Sequence, residues 1–120
     1  MRILMLSWEY PPKSVGGLAR HVEDLAISLV KERHSVHVLT IGHSGGTPER
    51  CENGVYVHRV GAYPVHTPDF ITWVLQLNNR FLEEAIIIMQ RYGPFQIIHA
   101  HDWLVAFSGR ALKHAYRMPL

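Results

Sequence analysis

Two hydrophobic rhythms alternate along this chain. Residues 2–8, Arg-Ile-Leu-Met-Leu-Ser-Trp, are soon followed by Pro11-Pro12. A short apolar run closed by prolines predicts a buried strand. From Gly17 the spacing changes. Leu18, Val22, Leu25, Ala26, Leu29 and Val30 recur at intervals of three and four, which predicts an amphipathic helix over residues 17–33. Val36, Val38, Leu39 and Ile41 mark a second strand, Val55, Val57 and Val60 a third, and residues 95–100 a fourth. Residues 42–53 are rich in turn formers and read as a loop. Residues 70–92 read as a second helix. Phe70, Trp73, Val74, Leu77, Phe81, Ala85, Ile88 and Met89 form one face, with Asn78, Asn79, Arg80, Glu83 and Glu84 on a polar side. Gly93-Pro94 ends it, and residues 103–117 make a third helix.

The order β-α-β-(β)-α-β-α predicts an α/β fold: a Rossmann-like, doubly wound, mainly parallel sheet with helices on both faces. A further strand is the next element in such a series, so 120 residues read as a partial domain. The fourth strand then lies at an apolar sheet edge, a place for self-association.

Composition narrows the function classes. Apolar residues make up 48% and charged residues 18%, the balance of a globular domain. Twelve Lys and Arg against ten Asp and Glu leave +2, without a basic block, which argues against nucleic-acid binding. The single Cys51 excludes an internal disulfide and a cysteine zinc cluster, and fits a reducing, cytoplasmic setting. The longest apolar runs, at residues 3–6 and 85–89, are far too short to span a membrane.

Ligands of doubly wound sheets bind beyond the carboxyl ends of the strands, at the point where strand order reverses. Strands one and four are neighbours there. After strand one comes Glu9-Tyr10-Pro11-Pro12-Lys13-Ser14-Val15-Gly16-Gly17, and strand four ends His99-Ala100-His101-Asp102-Trp103. Paired glycines opening a helix let backbone N–H groups approach an anion, with the helix dipole behind them, and a diphosphate is the natural guest. A tight strand-to-helix turn explains the same glycines. Lys13 can neutralise a phosphate. His21, one turn after Gly17, points along the same side. A dinucleotide site fits badly, because G-x-G-x-x-G is absent and strand two ends in Gly42-His43 where an acidic residue should hold a ribose. No P-loop occurs.

The His99–Trp103 segment has three readings. His99 and His101 fall on one side of a strand, an H-x-H spacing that a metal hydrolase uses. Alternatively, Asp102 accepts sugar hydroxyls while Trp103 offers a flat apolar face. In the third, Asp102 is a helix cap and Trp103 a core residue.

Taken in order, the segments resemble a family. Met1-Arg2-Ile3-Leu4-Met5, Glu9-Tyr10-Pro11-Pro12, Gly16-Gly17-Leu18-Ala19-Arg20-His21-Val22 and His34-Ser35-Val36-His37-Val38-Leu39-Thr40 look like the opening of two-domain retaining glycosyltransferases, and His99-Ala100-His101-Asp102-Trp103 looks like the matching segment of glycogen and starch synthases. The resemblance covers nearly the whole chain. It implies the acceptor-side N-terminal part of an enzyme that passes glucose from ADP-glucose or UDP-glucose to an α-glucan, without a cofactor or metal ion. Gly16, Gly17, Lys13 and His21 would then face the donor phosphates or sugar, and Glu9, His101, Asp102 and Trp103 the acceptor. The family's catalytic-site histidine and its donor domain fall beyond Leu120, so residues 1–120 alone are expected to be inactive. A sugar- or nucleotide-binding module without chemistry is the alternative.

Three positions depart from the pattern. Lys13 stands one residue further from the glycines than in K-x-G-G-L, Arg20 replaces an aspartate, and Arg33 replaces the glycine before His34.

Overall fold

A computed structural model describes residues 1–11, 17–42, 49–61 and 67–120. Five strands form one sheet in the order β3-β4-β2-β1-β5, with β1 at Arg2–Leu6, β2 at Ser35–Ile41, β3 at Glu49–Glu52, β4 at Val55–Val60 and β5 at Ile97–Ala100. Helices α1 (Leu18–Lys31), α2 (Phe70–Tyr92) and α3 (Ala106–Tyr116) cover it, and a 3₁₀ turn, Trp103–Val105, leads into α3.

The parallel pairings β1·β2, β1·β5 and β2·β4 make the predicted doubly wound sheet. Alternation along β1 sends Leu4 and Leu6 into a core beneath α2 and α3, with Phe81, Ile88 and Leu112. Ile3 and Met5 point the other way, into a core beneath α1 with Val22 and Ala26. The chain steps outward from β1 to β2 to β4, then crosses back through α2 to β5 on the far side of β1. The strand order therefore reverses between β1 and β5.

Four sequence expectations are corrected. Residues 42–53 contain β3, which pairs antiparallel with β4 and lies outermost; residues 43–48 are outside the described set. Its sequence, Glu-Arg-Cys-Glu, has no apolar alternation, so the hairpin rests on its turn. Asn53 and Gly54 both adopt positive φ, 53° and 82°, the pattern of a tight I′ turn. The first strand ends at Leu6, two residues early. The Trp103–Tyr116 stretch is a 3₁₀ turn followed by a shorter α-helix. Asn78, assigned to the polar side of α2, is buried. Its Nδ2 donates to the carbonyls of Val74 (2.8 Å) and Leu104 (2.7 Å), and its Oδ1 accepts from Ser108 N–H and Oγ, both at 2.8 Å. Val105, the N-cap of α3, has no side-chain cap bond, so Asn78 caps that helix from another one.

β5 is an edge strand, as expected, but the Ile98 N–H donates to the Pro119 carbonyl (3.0 Å), so the C-terminal segment covers part of that edge. Arg33 ends α1 at φ 68°. Its N–H reaches the Val30 carbonyl (2.9 Å) and that of His34 reaches the Leu29 carbonyl (3.1 Å), a Schellman ending built on a non-glycine residue. No described helix is long and apolar enough to cross a membrane.

Candidate functional site

The reversal point places the two unusual segments side by side. β1 and β5 run in register with Leu6 opposite Ala100, and the His101 N–H donates to the Leu6 carbonyl (2.9 Å). Gly17 caps the start of α1, and its carbonyl accepts from the His21 N–H (3.1 Å). The His21 ring meets the His101 ring edge-on, with centroids 6.0 Å apart. The helix that follows the glycine pair and the end of β5 thus share one corner, although 80 residues separate His21 from His101 in sequence. Lys13 and Gly16 lie outside the described residues.

Gly17 has an ordinary φ of −80°, and a Cβ built there meets nothing within 4 Å. Neither backbone conformation nor internal packing requires glycine at this position. Glu9 is buried; its N–H donates to Ser7 Oγ (3.3 Å), which in turn donates to the Glu9 carbonyl (2.7 Å). Arg59 on β4 ties down the chain between them. Its guanidinium donates to Glu52 Oε2 (2.6 Å) and to the Pro11 carbonyl (2.7 Å), so the segment leaving β1 is anchored two strands away. Gly42 is needed for this clasp, because a Cβ there would collide with the Arg59 side chain. The Gly42 position, read in sequence as lacking an acidic ribose ligand, is occupied structurally by this arginine's approach. Tyr10 beside it is buried, and its hydroxyl is pushed up to about 12, first by burial and then by Glu23 and Glu52, with Arg59 opposing.

On the β5 side, His99 and His101 do share a face. Their rings stack at 4.0 Å with 29° between planes, so they present faces to one another. His101 is 6% exposed, and its Nε2 is buried without a hydrogen-bond partner among the described residues. Burial, then His99 and His21, hold its pKa down at about 4, so the ring is neutral at pH 7. His99 is lowered too, by burial and then by His21. Among the described residues no group of three or more His, Cys, Asp or Glu is placed to hold a metal ion.

Asp102 takes the capping role among its sequence readings, at the 3₁₀ turn that precedes α3. Its carboxylate accepts the Trp103 N–H (2.6 Å) as a cap of the 3₁₀ turn. Its backbone sits at φ 76° and ψ 158°, a region normally left to glycine and costing about 1–3 kcal/mol. Trp103 is 56% exposed, not a core residue. Its ring touches that of Phe70, a neighbour the sequence analysis placed only on the apolar face of α2.

Known proteins resemble this chain over nearly its whole length. The family model described as starch synthase catalytic domain matches residues 2–119. An uncharacterized glycosyltransferase of Methanocaldococcus jannaschii is 42% identical over 119 residues, covering 99% of this chain and 29% of that protein. A glycogen synthase of Mycobacterium tuberculosis is 35% identical over 133 residues, covering all of this chain and 32% of the relative. The chain therefore spans about a third of the curated relatives it matches. Among solved structures, sucrose-phosphate synthase of Thermosynechococcus elongatus superposes with a TM-score of 0.76 at 20% identity, over 94% of this chain and 30% of the other. The catalytic domain of starch synthase IV of Arabidopsis thaliana, bound to ADP and acarbose, gives 0.70 at 19%, over 93% and 30%. These two likenesses bear on the fold, which they share with this Rossmann-like sheet. The sequence matches carry the assignment: this chain belongs to the starch synthase catalytic domain family of glycosyltransferases.

Proposed function

We propose that this chain is the acceptor-side N-terminal part of a glycogen- or starch-synthase-like enzyme, which moves glucose from ADP-glucose or UDP-glucose to an α-glucan with retention of configuration. The observation that carries the reading is the shared corner of His21 and His101, which sets the start of α1 beside Asp102 and Trp103 at the strand-order reversal. In this reading Gly17, with Gly16, meets the donor diphosphate. An unfilled space where a Cβ would stand suits close approach of a phosphate to backbone N–H groups, and the α1 dipole favours its charge. His21 adds a donor on the same side, and Lys13, outside the described residues, is assigned to the same phosphates. Neutral His101 backs the acceptor side of the corner, beneath Asp102 and Trp103. Asp102 accepts hydroxyl hydrogens, Trp103 covers an apolar sugar face, and Glu9 shapes the floor. The relative solved with ADP and acarbose is compatible with a nucleotide and an oligosaccharide as ligands.

The remaining machinery is assigned to sequence that this chain does not span, since it covers only about 30% of its relatives. The working compartment in this reading is the cytoplasm. The test is transfer of labelled glucose from each donor to glycogen, run on a protein carrying these residues with the remaining length and on residues 1–120 alone. The longer protein is expected to transfer glucose and the 120-residue chain to be silent. Turnover by the short chain would refute the division of labour, and no transfer by the longer protein from either donor would refute the substrate reading.

A further inference from the structure

Large aromatic rings normally leave water, yet two of them meet in the open beside Asp102. Phe70 is 55% exposed and Trp103 56% exposed. Their centroids are 6.1 Å apart with 68° between planes, and Phe70 also stacks on Trp73 at 5.8 Å and 18°. The two rings form the walls of an open corner.

The corner is built in duplicate. Asp69 caps α2 by accepting the Thr72 N–H (2.7 Å), and the next residue is Phe70. Asp102 caps the 3₁₀ turn by accepting the Trp103 N–H, and the next residue is Trp103. Each ring thus leaves the backbone at a point fixed by a carboxylate. Asn78 then locks the two elements together, since it reaches from α2 to the Leu104 carbonyl directly after Trp103. An arrangement rigid before any ligand arrives loses little freedom on binding.

The chemistry selects the occupant. A lipid chain or an apolar helix laid over the rings would strip water from the adjacent carboxylates without offering donors, a costly exchange. Hydrogen bonds from the Thr72 backbone N–H and then its side-chain hydroxyl lower the pKa of Asp69 and favour its carboxylate form. A pyranose suits both features, with C–H faces for the rings and hydroxyl donors for the carboxylates.

We propose that the Phe70–Trp103 corner, flanked by Asp69 and Asp102, is a stacking subsite for an outer glucose unit of an α-glucan. The inference rests on the acceptor role given above to Asp102 and Trp103, and it extends that surface onto α2. It commits Phe70 to affinity for long acceptors and not for short ones.

The test is titration of the isotopically labelled chain with maltose and with maltoheptaose, following backbone amides by NMR, for the wild type, Phe70→Ala and Phe70→Trp. Phe70 is exposed, so both variants should fold, which thermal unfolding checks. Maltoheptaose is expected to move the amides of Phe70 and of Trp103 together. Phe70→Ala should weaken maltoheptaose about tenfold, the scale of losing one aromatic anchor, while maltose changes less than about twofold. Phe70→Trp should restore the affinity. Shifts confined to Asp102 and Trp103, with Phe70→Ala binding maltoheptaose as the wild type does, would overturn the subsite and leave the acceptor reading standing. No shift at either corner would remove the acceptor reading and this subsite with it.

Discussion

Asn78→Ala is the substitution that best separates this structure from its sequence pattern. Grouped with its polar neighbours Asn79 and Arg80, Asn78 would lie on a solvated face and its removal would cost less than about 0.5 kcal/mol, although its i−4 and i+3 neighbours Val74 and Phe81 put it on the buried side of α2. In the structure it makes four buried hydrogen bonds. Truncation orphans the Ser108 N–H in the first turn of α3, a lost cap of about 1 kcal/mol. It also strands the Leu104 carbonyl in the interior, at about 1–3 kcal/mol. Val74 keeps its place in the α2 ladder, and Ser108 Oγ keeps its bond to the Val105 carbonyl (3.1 Å), so neither adds much. The sum is about 3 kcal/mol, a large share of the stability of a domain of this size. Urea unfolding followed by circular dichroism should show the midpoint falling by about 1–2 M with little change in slope. Gln90→Ala, on the exposed side of the same helix, serves as the control and should stay within about 0.5 kcal/mol. A loss below about 1 kcal/mol for Asn78→Ala would refute the cross-helix cap.

Other outcomes follow from the same geometry. Arg33→Gly should stabilise the chain by about 0.5–1 kcal/mol, because glycine adopts φ 68° without the Cβ clash; an unchanged or lower unfolding midpoint would contradict the Schellman assignment. Gly17→Ala should leave stability within about 1 kcal/mol of wild type while weakening ADP-glucose at least about tenfold, measured by thermal unfolding and by titration of the same sample; unaltered binding would free Gly17 of its proposed role. Acid should destabilise the fold below about pH 6.5. His37, buried and hydrogen-bonded to His58 (2.9 Å), is pushed down to about 3 by burial and then by His58 and Arg2, and His101 is held at about 4. The unfolded chain takes up these protons first, so their stabilisation is complete above the ordinary histidine pKa of 6.5 and drains away as pH falls toward 4 and then 3. Between pH 7 and pH 5 the loss should be about 3 kcal/mol, and equal urea midpoints at the two values would contradict it.

The sequence carried most of the layout because periodicity reports burial directly. The strand–helix alternation and the neighbouring of β1 and β5 were legible, and the resemblance marked Arg33 as standing in a glycine's place. β3 was not, since a polar strand on the outer edge buries little and leaves no apolar rhythm; the Asn53-Gly54 pair was its only local sign. Asn78 was grouped with its polar sequence neighbours, although its spacing from Val74, Phe81 and Ala85 puts it on the buried face; what no local pattern announces is its partner 30 residues away, the uncapped first turn of α3. The same limit hid the Arg59 clasp and the pairing of Phe70 with Trp103. The carboxylate and indole of residues 102 and 103 were legible as site candidates, but the strained backbone and the exposed ring that distinguish them from an ordinary cap and core pair are tertiary facts.

The central claim is that the α1 start and the β5 end line one cavity, the donor meeting the first and the acceptor the second. Titration of ADP-glucose into the labelled chain, alone and with maltoheptaose present, tests that claim most directly. The account predicts shifts at Gly17 and His21 with the donor, shifts at Asp102 and Trp103 with the glucan, and a changed donor affinity once the glucan is bound. Donor and glucan titrating independently, neither altering the other's shifts or affinity, would contradict it.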